Sequence, residues 1–191
     1  MIRIGILGEI GSGKSFVAKN FGHPVFNADI EVGKLYRNDR KVFNKLKKIL
    51  PKYINSFPIK KNQISQAILA NKYNLKKIVK IVHREIRKKI NIFLKKNRNK
   101  KIIVLDIPLL LESKLYKKND ILVFVESKKS EIYRRLKKRK NFNLYLFIKF
   151  KKIQLPLEYK KKKAHFILKN DFTISSVRRN INNILKKICN D

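Results

Sequence analysis

Residues Gly8-Glu9-Ile10-Gly11-Ser12-Gly13-Lys14-Ser15 fill every position of the phosphate-binding pattern G-x-x-x-x-G-K-[ST]. Glycines at 8, 11 and 13 let the backbone turn tightly and aim its N–H groups at a polyphosphate. A helix starting behind the loop adds the partial positive charge of its N-terminus. Lys14 is expected to reach the β and γ phosphates of ATP, and the Ser15 hydroxyl to ligate Mg²⁺. The main chain of Glu9, Ile10, Gly11, Ser12, Gly13 and Phe16 completes the expected nucleotide contact. The whole chain has six glycines, three of them are in this stretch, and none follows Gly33.

Two acids stand where such a site needs them. Asp106 closes the apolar run Ile102-Ile103-Val104-Leu105, as a carboxylate near a loop-bound Mg²⁺ does; the same position also suits a helix N-cap. Asp29 ends the run His23 to Asp29, read as a second strand on the same sheet edge. A carboxylate there could take the proton of an acceptor hydroxyl and orient its oxygen for in-line attack. It could equally cap the helix that begins near Ile30. Arg134, Arg135 and Arg139 lie on a basic helix from about Lys128 to Lys140, with Arg135 and Arg139 one turn apart on a shared face. They could clamp a transferring phosphoryl group, or form a solvated charged face.

The elements that must position these groups alternate in period. Ile2 to Leu7, Lys101 to Asp106, Ile121 to Val125 and His165 to Leu168 read as buried strands. Between the second and third strands, about 30–97, apolar residues recur at helical spacing. These are Val32, Leu35, Val42, Leu46, then Ile78, Val82, Ile86 and Ile90. Ser175 to Ile188 reads as a closing helix. Together they predict a doubly wound α/β domain over the whole chain with ligands at the carboxyl ends of the strands. Asn71-Lys72-Tyr73-Asn74 resembles a guanine-reading N-K-x-D but lacks the final acid and follows no strand.

Composition limits the alternatives. The net charge is +36, from 49 basic and 13 acidic residues. Clustered cations suit nucleic acid, but the excess is Lys spread through most of the chain after about residue 34, as drift toward an AT-rich codon usage produces. No nucleic-acid-binding motif accompanies it, so nucleic acid is not expected as a partner. Cys189 is the single cysteine, and His23, His83 and His165 show no metal-ligand spacing. The apolar start of about six residues runs straight into the loop, unlike a signal peptide. No apolar stretch approaches the roughly 20 residues of a membrane span. A soluble cytoplasmic protein is expected.

The ordered motifs resemble the dephospho-CoA kinase family over nearly the whole chain. Ile4 through Ser15 is similar to its I-G-L-T-G-G-I-G-S-G-K-S, and Asn27-Ala28-Asp29 to its D-A-D. His83 falls on its H-P-x-I, and Asp106-Ile107-Pro108-Leu109-Leu110-Leu111-Glu112 is similar to its D-x-P-L-L-F-E. Arg135 and Arg139 fit its R-x-x-x-R, Gln154 its lid glutamine, and Ala164 through Asn170 its A-D-F-V-I-x-N. The resemblance implies a P-loop kinase core with a parallel five-stranded sheet flanked by helices. It also implies a helical acceptor-binding insertion at about 30–97 and a helical lid at about 134–163. The implied reaction moves a phosphoryl group from ATP to the ribose 3′-hydroxyl of dephospho-CoA, with Mg²⁺ at Ser15 and Asp106. Asp29 is then the base, Lys14 and Arg139 stabilise charge, and the Asn170 region contacts adenine. The alternatives are a nucleoside monophosphate kinase or a nucleic-acid-binding ATPase with the same loop. This chain departs from the family at Glu9, a loop glycine there; at Asn27, an aspartate; at Gln66, an arginine; at Arg84, a proline; and at His165, an aspartate.

Overall fold

Short runs of Ile, Val, Leu and Phe become strands β1 (Ile2–Gly8), β2 (Val25–Asn27), β3 (Ile102–Asp106), β4 (Ile121–Glu126) and β5 (Phe166–Lys169). The computed structural model describes residues 1–139 and 142–190; Lys140, the expected end of the basic helix, lies outside the described residues, as do Asn141 and Asp191. The strands form one sheet in the order β2-β3-β1-β4-β5, and every neighbouring pair is parallel, as the family resemblance implies. All five residues of β3 are buried, which only a strand covered on both faces allows.

Side chains leave the two faces of the sheet alternately. Ile4, Ile6, Ile102, Val104, Val123, Val125 and Leu168 share one face with α1 (Lys14–Asn20) and α9 (Ile174–Asn190), which contribute Val17, Ala18, Val177, Ile181, Ile184 and Ile188. Gly5 points the other way, where a β-carbon would stand 2.6 Å from Leu110 and 2.9 Å from Leu122. Its missing side chain is what lets the segment after β3 cross close over β1. The helices α6 (Lys129–Lys137) and α8 (Leu157–Lys163) complete this unit.

The described chain divides into two compact units. The first holds the sheet and comprises Met1–Asn27, Lys96–Phe142 and the residues from Gln154 onward. The second comprises Ala28–Lys95 and Asn143–Ile153. Its helices are α2 (Ala28–Asn38), α3 (Arg40–Ile49), α4 (Lys61–Ala70), α5 (Lys72–Lys96) and α7 (Leu144–Ile153), the last residue of α5 falling in the first unit. Leu75, Ile78, Val82, Ile86 and Ile90 form the buried face of α5 at 3.6-residue spacing. Asp39 separates α2 from α3 and caps the latter, its carboxylate accepting the Val42 N–H at 3.0 Å. Lys149 of α7 donates to the Leu69 carbonyl at the end of α4, 3.2 Å.

Two expectations are corrected. The second strand ends at Asn27, and Asp29 lies in the first turn of α2. β3 stops at Asp106, opposite Asn27, so no rung exists beyond that pair, and an acid is favourable in a first helical turn. Arg135 and Arg139 do not share a helix face, because α6 ends at Lys137. The Arg139 N–H bonds instead to the Leu136 carbonyl, 3.1 Å, a tightened closing turn after which the chain leaves the helix.

At the amino end of the sheet, Arg3 and Asp120 form a buried ion pair, 3.0 Å, with side chains 9% and 2% exposed. Asp120→Ala would leave the Arg3 charge buried and uncompensated. Urea unfolding is expected to show a loss of about 3–5 kcal/mol, with nucleotide affinity unchanged because the pair sits at the far end of the strands from the loop.

Candidate active site

The phosphate loop leaves β1 where its two neighbours, β3 and β4, lie on opposite sides, the point at which parallel α/β sheets open a ligand crevice. Gly13 takes φ +88° at the N-cap of α1, and a β-carbon there would lie 2.4 Å from the Asn170 amide and 2.7 Å from the Phe172 ring. Gly11, at φ +89°, is closely covered by Ile132 and Leu136 of α6. Both positions combine a left-handed backbone with no room for a side chain, so glycine is required at each. The loop is a cradle built against two neighbours.

Its conformation is held by groups outside the motif. The Ser12 carbonyl accepts the Ser127 hydroxyl at 2.9 Å and the Asn170 amide at 2.8 Å. The Asn170 oxygen in turn accepts the Phe172 N–H at 2.9 Å. Asn170 is thus buried with its amide turned inward onto the loop. The Ser12 hydroxyl is buried with no hydrogen-bond partner among the described residues. Lys14, also buried, folds back so that its ammonium donates to the carbonyls of Glu9 at 2.8 Å and Gly8 at 3.3 Å. Glu9, the loop residue that departs from the family pattern, therefore contributes its carbonyl to the Lys14 contact. Ile10 is half-buried at the loop's turn. Phe16 packs its side chain against the core.

Asp106 lies beneath this loop, 2% exposed. Its carboxylate accepts the Asn27 amide at 2.6 Å and a hydrogen bond from the Ser15 hydroxyl, with the Lys14 charge nearby. Burial raises its pKa above the usual carboxylate range, and the Ser15 bond, Lys14 and Asn27 oppose that rise. Ser15 itself is exposed. A hydroxyl and a carboxylate are hard oxygen donors, and a divalent cation that also takes phosphate oxygens needs few more from the protein. Among the described residues no group of three or more His, Cys, Asp or Glu could hold a metal alone. The donor set thus fits Mg²⁺ carried by a nucleotide rather than a resident metal centre.

The other predicted residues are distributed as follows. Asp29 is exposed and is the second residue of the second unit, two residues after the Asn27 that bonds Asp106. Arg139 is exposed beyond the end of α6. The arginine at the loop is instead Arg135, its guanidinium 4.1 Å from the centre of the Phe172 ring, which packs over Gly13. Phe172 holds φ +66°, an uncommon conformation for a bulky residue. His165, where the family has aspartate, accepts the Leu122 N–H on Nδ1 at 2.9 Å. Imidazole here supplies the acceptor that a carboxylate could supply.

The family model described as dephospho-CoA kinase matches residues 2–176. A dephospho-CoA kinase of Wolbachia sp. subsp. Brugia malayi is 31% identical over 190 residues, covering 97% of each chain. A crystal structure from Thermus thermophilus superposes with a TM-score of 0.75 at 25% identity, covering 97% of each chain. A dephospho-CoA kinase from Campylobacter jejuni shares the fold, with a TM-score of 0.60 at 21% identity over 97% of this chain and 96% of that one.

Two substitutions test the geometry. Asn170→Ala removes one of two donors from the Ser12 carbonyl, and nucleotide affinity measured by calorimetry is expected to fall about tenfold. Asp106→Asn should stabilise the free protein. A carboxyl whose folded pKa is raised holds its proton more readily when folded, so its favourable contribution is complete at low pH and is lost as pH rises through the folded value. At neutral pH the charged Asp106 is therefore a burden, and the amide should raise the melting temperature by about 2–4 °C.

Proposed function

Because the chain belongs to the dephospho-CoA kinase family, we propose that this site transfers the γ-phosphoryl group of ATP to the ribose 3′-hydroxyl of dephospho-CoA, giving coenzyme A and ADP. The observation that carries the phosphoryl-transfer half is the Ser15–Asp106 hydrogen bond beside Lys14, under a phosphate loop already shaped by its neighbours. The identity of the acceptor rests on the family.

The loop amides from Glu9 to Phe16 and the Lys14 ammonium hold the ATP phosphates, Lys14 exchanging its two loop carbonyls for phosphate oxygens. Mg²⁺, held by the Ser15 hydroxyl and the Asp106 carboxylate, would neutralise charge on the phosphates. Ser12, through its clasped carbonyl, keeps the loop from collapsing when the site is vacant. The adenine lies beside the Asn170 segment, where Arg135 and Phe172 offer a planar cation and a ring for stacking. The acceptor oxygen bonds to the γ-phosphorus as the bond to the ADP oxygen breaks, and the hydroxyl proton passes to the Asp29 carboxylate. Arg139 lies beyond α6, on the stretch that leads toward α7, and stabilises charge on the group in transit.

The second unit binds the acceptor through its α2–α5 portion, and Asn143–Ile153 belongs to the lid. The +36 charge favours two polyanionic substrates. Among the described residues no helix is long and apolar enough to cross a membrane, and the composition fits an enzyme of the cytoplasm.

Purified protein with ATP, Mg²⁺ and dephospho-CoA should form coenzyme A, and nucleoside monophosphates should be poor acceptors. Efficient phosphorylation of a nucleoside monophosphate with none of dephospho-CoA would refute the acceptor. Asp29→Asn should lower kcat about 10²–10⁴-fold with ATP affinity within about twofold; full activity would remove Asp29 from the role of base.

A further inference from the structure

Two arginines stand side by side on α6 and are held differently. Arg134 pairs with the Glu131 carboxylate at 2.6 Å, whereas Arg135 lies over the Phe172 ring, 4.1 Å from its centre. A guanidinium laid on a ring keeps its charge and, on an exposed residue, offers its second plane to whatever approaches. Both partners belong to the first unit, and both sit at the phosphate loop. The ring meets Gly13, and Leu136, next to Arg135, covers Gly11.

Phe172 keeps this place against its own backbone preference. A φ of +66° is a left-handed conformation that bulky side chains rarely adopt. Local bonds impose it. The Asn170 side-chain oxygen accepts the Phe172 N–H, and the Asp171 carboxylate accepts the Thr173 N–H and hydroxyl, each at 2.9 Å. Backbone strain retained beside a ligand site points to a use for the ring that it delivers.

The same bonds decide what the segment can read. The N–H groups of Asn170, Phe172 and Thr173 are engaged by the Glu126 carbonyl, the Asn170 side chain and the Asp171 carboxylate. The Asn170 amide nitrogen donates to the Ser12 carbonyl, and its side chain is buried. Adenine N1 and guanine O6 are both acceptors, so telling the two purines apart at this edge takes a donor. These donors are already engaged. A carbonyl accepts equally from the adenine amino group and from guanine N1–H. What remains to hold the base is a plane, and stacking tolerates any base because each has a π-face.

From these contacts we infer that Arg135, braced by Phe172, is the platform on which the nucleotide base stacks, and that the phosphoryl donor is recognised as a purine nucleoside triphosphate rather than as ATP alone. Phe172 is a positioning residue, because it acts through Arg135. The inference rests on the reading that the base lies beside the Asn170 segment, and not on the identity of the acceptor.

Calorimetric titration of the full chain with ADP, GDP and inorganic tripolyphosphate, each with Mg²⁺, tests it. Wild type should bind ADP and GDP with affinities within about fivefold of each other. A larger preference for either would overturn the inference, because a site built to hydrogen-bond one substrate edge rejects an analogue that leaves its groups unpaired. Arg135→Ala should weaken both nucleotides about tenfold and leave tripolyphosphate within about twofold. Arg135→Lys keeps the charge without the plane and should lose as much as Arg135→Ala. Equal loss of tripolyphosphate, or wild-type ADP affinity in Arg135→Lys, would make Arg135 a phosphate contact and overturn the inference. Phe172→Leu should weaken ADP about fivefold, and Phe172→Tyr, which restores the ring, should recover it. Wild-type ADP affinity in Phe172→Leu would show that the ring braces nothing. Failure of wild type to phosphorylate dephospho-CoA would remove the acceptor alone, and these titrations would still decide the platform. No binding of ADP or GDP by wild type would remove the nucleotide site and the platform with it.

Discussion

A carboxylate held almost entirely out of water must be matched by something, and the arrangement around Asp106 follows from that requirement. The Ser15 hydroxyl, the Asn27 amide and the Lys14 charge all favour its ionised form, yet burial still prevails and keeps its pKa high. A cation beside it would favour the ionised form further, which is the place the proposed reaction gives to Mg²⁺. The strand that delivers it is the most buried of the sheet, so the acid is placed by the core itself. Asn27 fits the same constraint. An aspartate there would set a second carboxylate within 2.6 Å of the first, and the amide removes that repulsion while keeping a hydrogen bond to Asp106.

The phosphate loop shows the complementary economy. Its glycines permit the shape, but Asn170 and Ser127 from two later elements hold it, both through the Ser12 carbonyl. A loop that is pre-shaped loses little conformational freedom on binding, which favours affinity without added contacts. The Lys14 ammonium rests on loop carbonyls that a phosphate can replace, so its charge remains satisfied with or without nucleotide.

Much of this was legible in the residues. The loop motif, the buried apolar runs and the switch in period located the strands and the helical stretch between the second and third of them. Asp106 was legible as the acid that closes the third strand beside the loop. What escaped was tertiary. Nothing local marks Ser127 as a partner of Ser12, 115 positions earlier. The stacking of Arg135 on Phe172 was missed because it joins two distant stretches of chain, and the end of α6 at Lys137 has no glycine or proline to mark it. The strand reading to Asp29 erred because a strand ends where its partner ends, and β2 has only the last three residues of β3 to pair with. The lysine at 160 looked like one more surface cation in a lysine-rich run, and only the fold distinguishes it from its neighbours.

In the proposed reaction a pre-shaped loop and a buried acid hold the phosphates while the γ-phosphoryl group passes to one hydroxyl of the acceptor. Rapid-quench single turnover with ATP labelled in the γ-phosphate, excess enzyme and dephospho-CoA follows the label directly. The account predicts that it appears as a 3′-phosphomonoester of the acceptor at the rate that ADP forms. Label released only as inorganic phosphate, at a rate indifferent to dephospho-CoA, would contradict it.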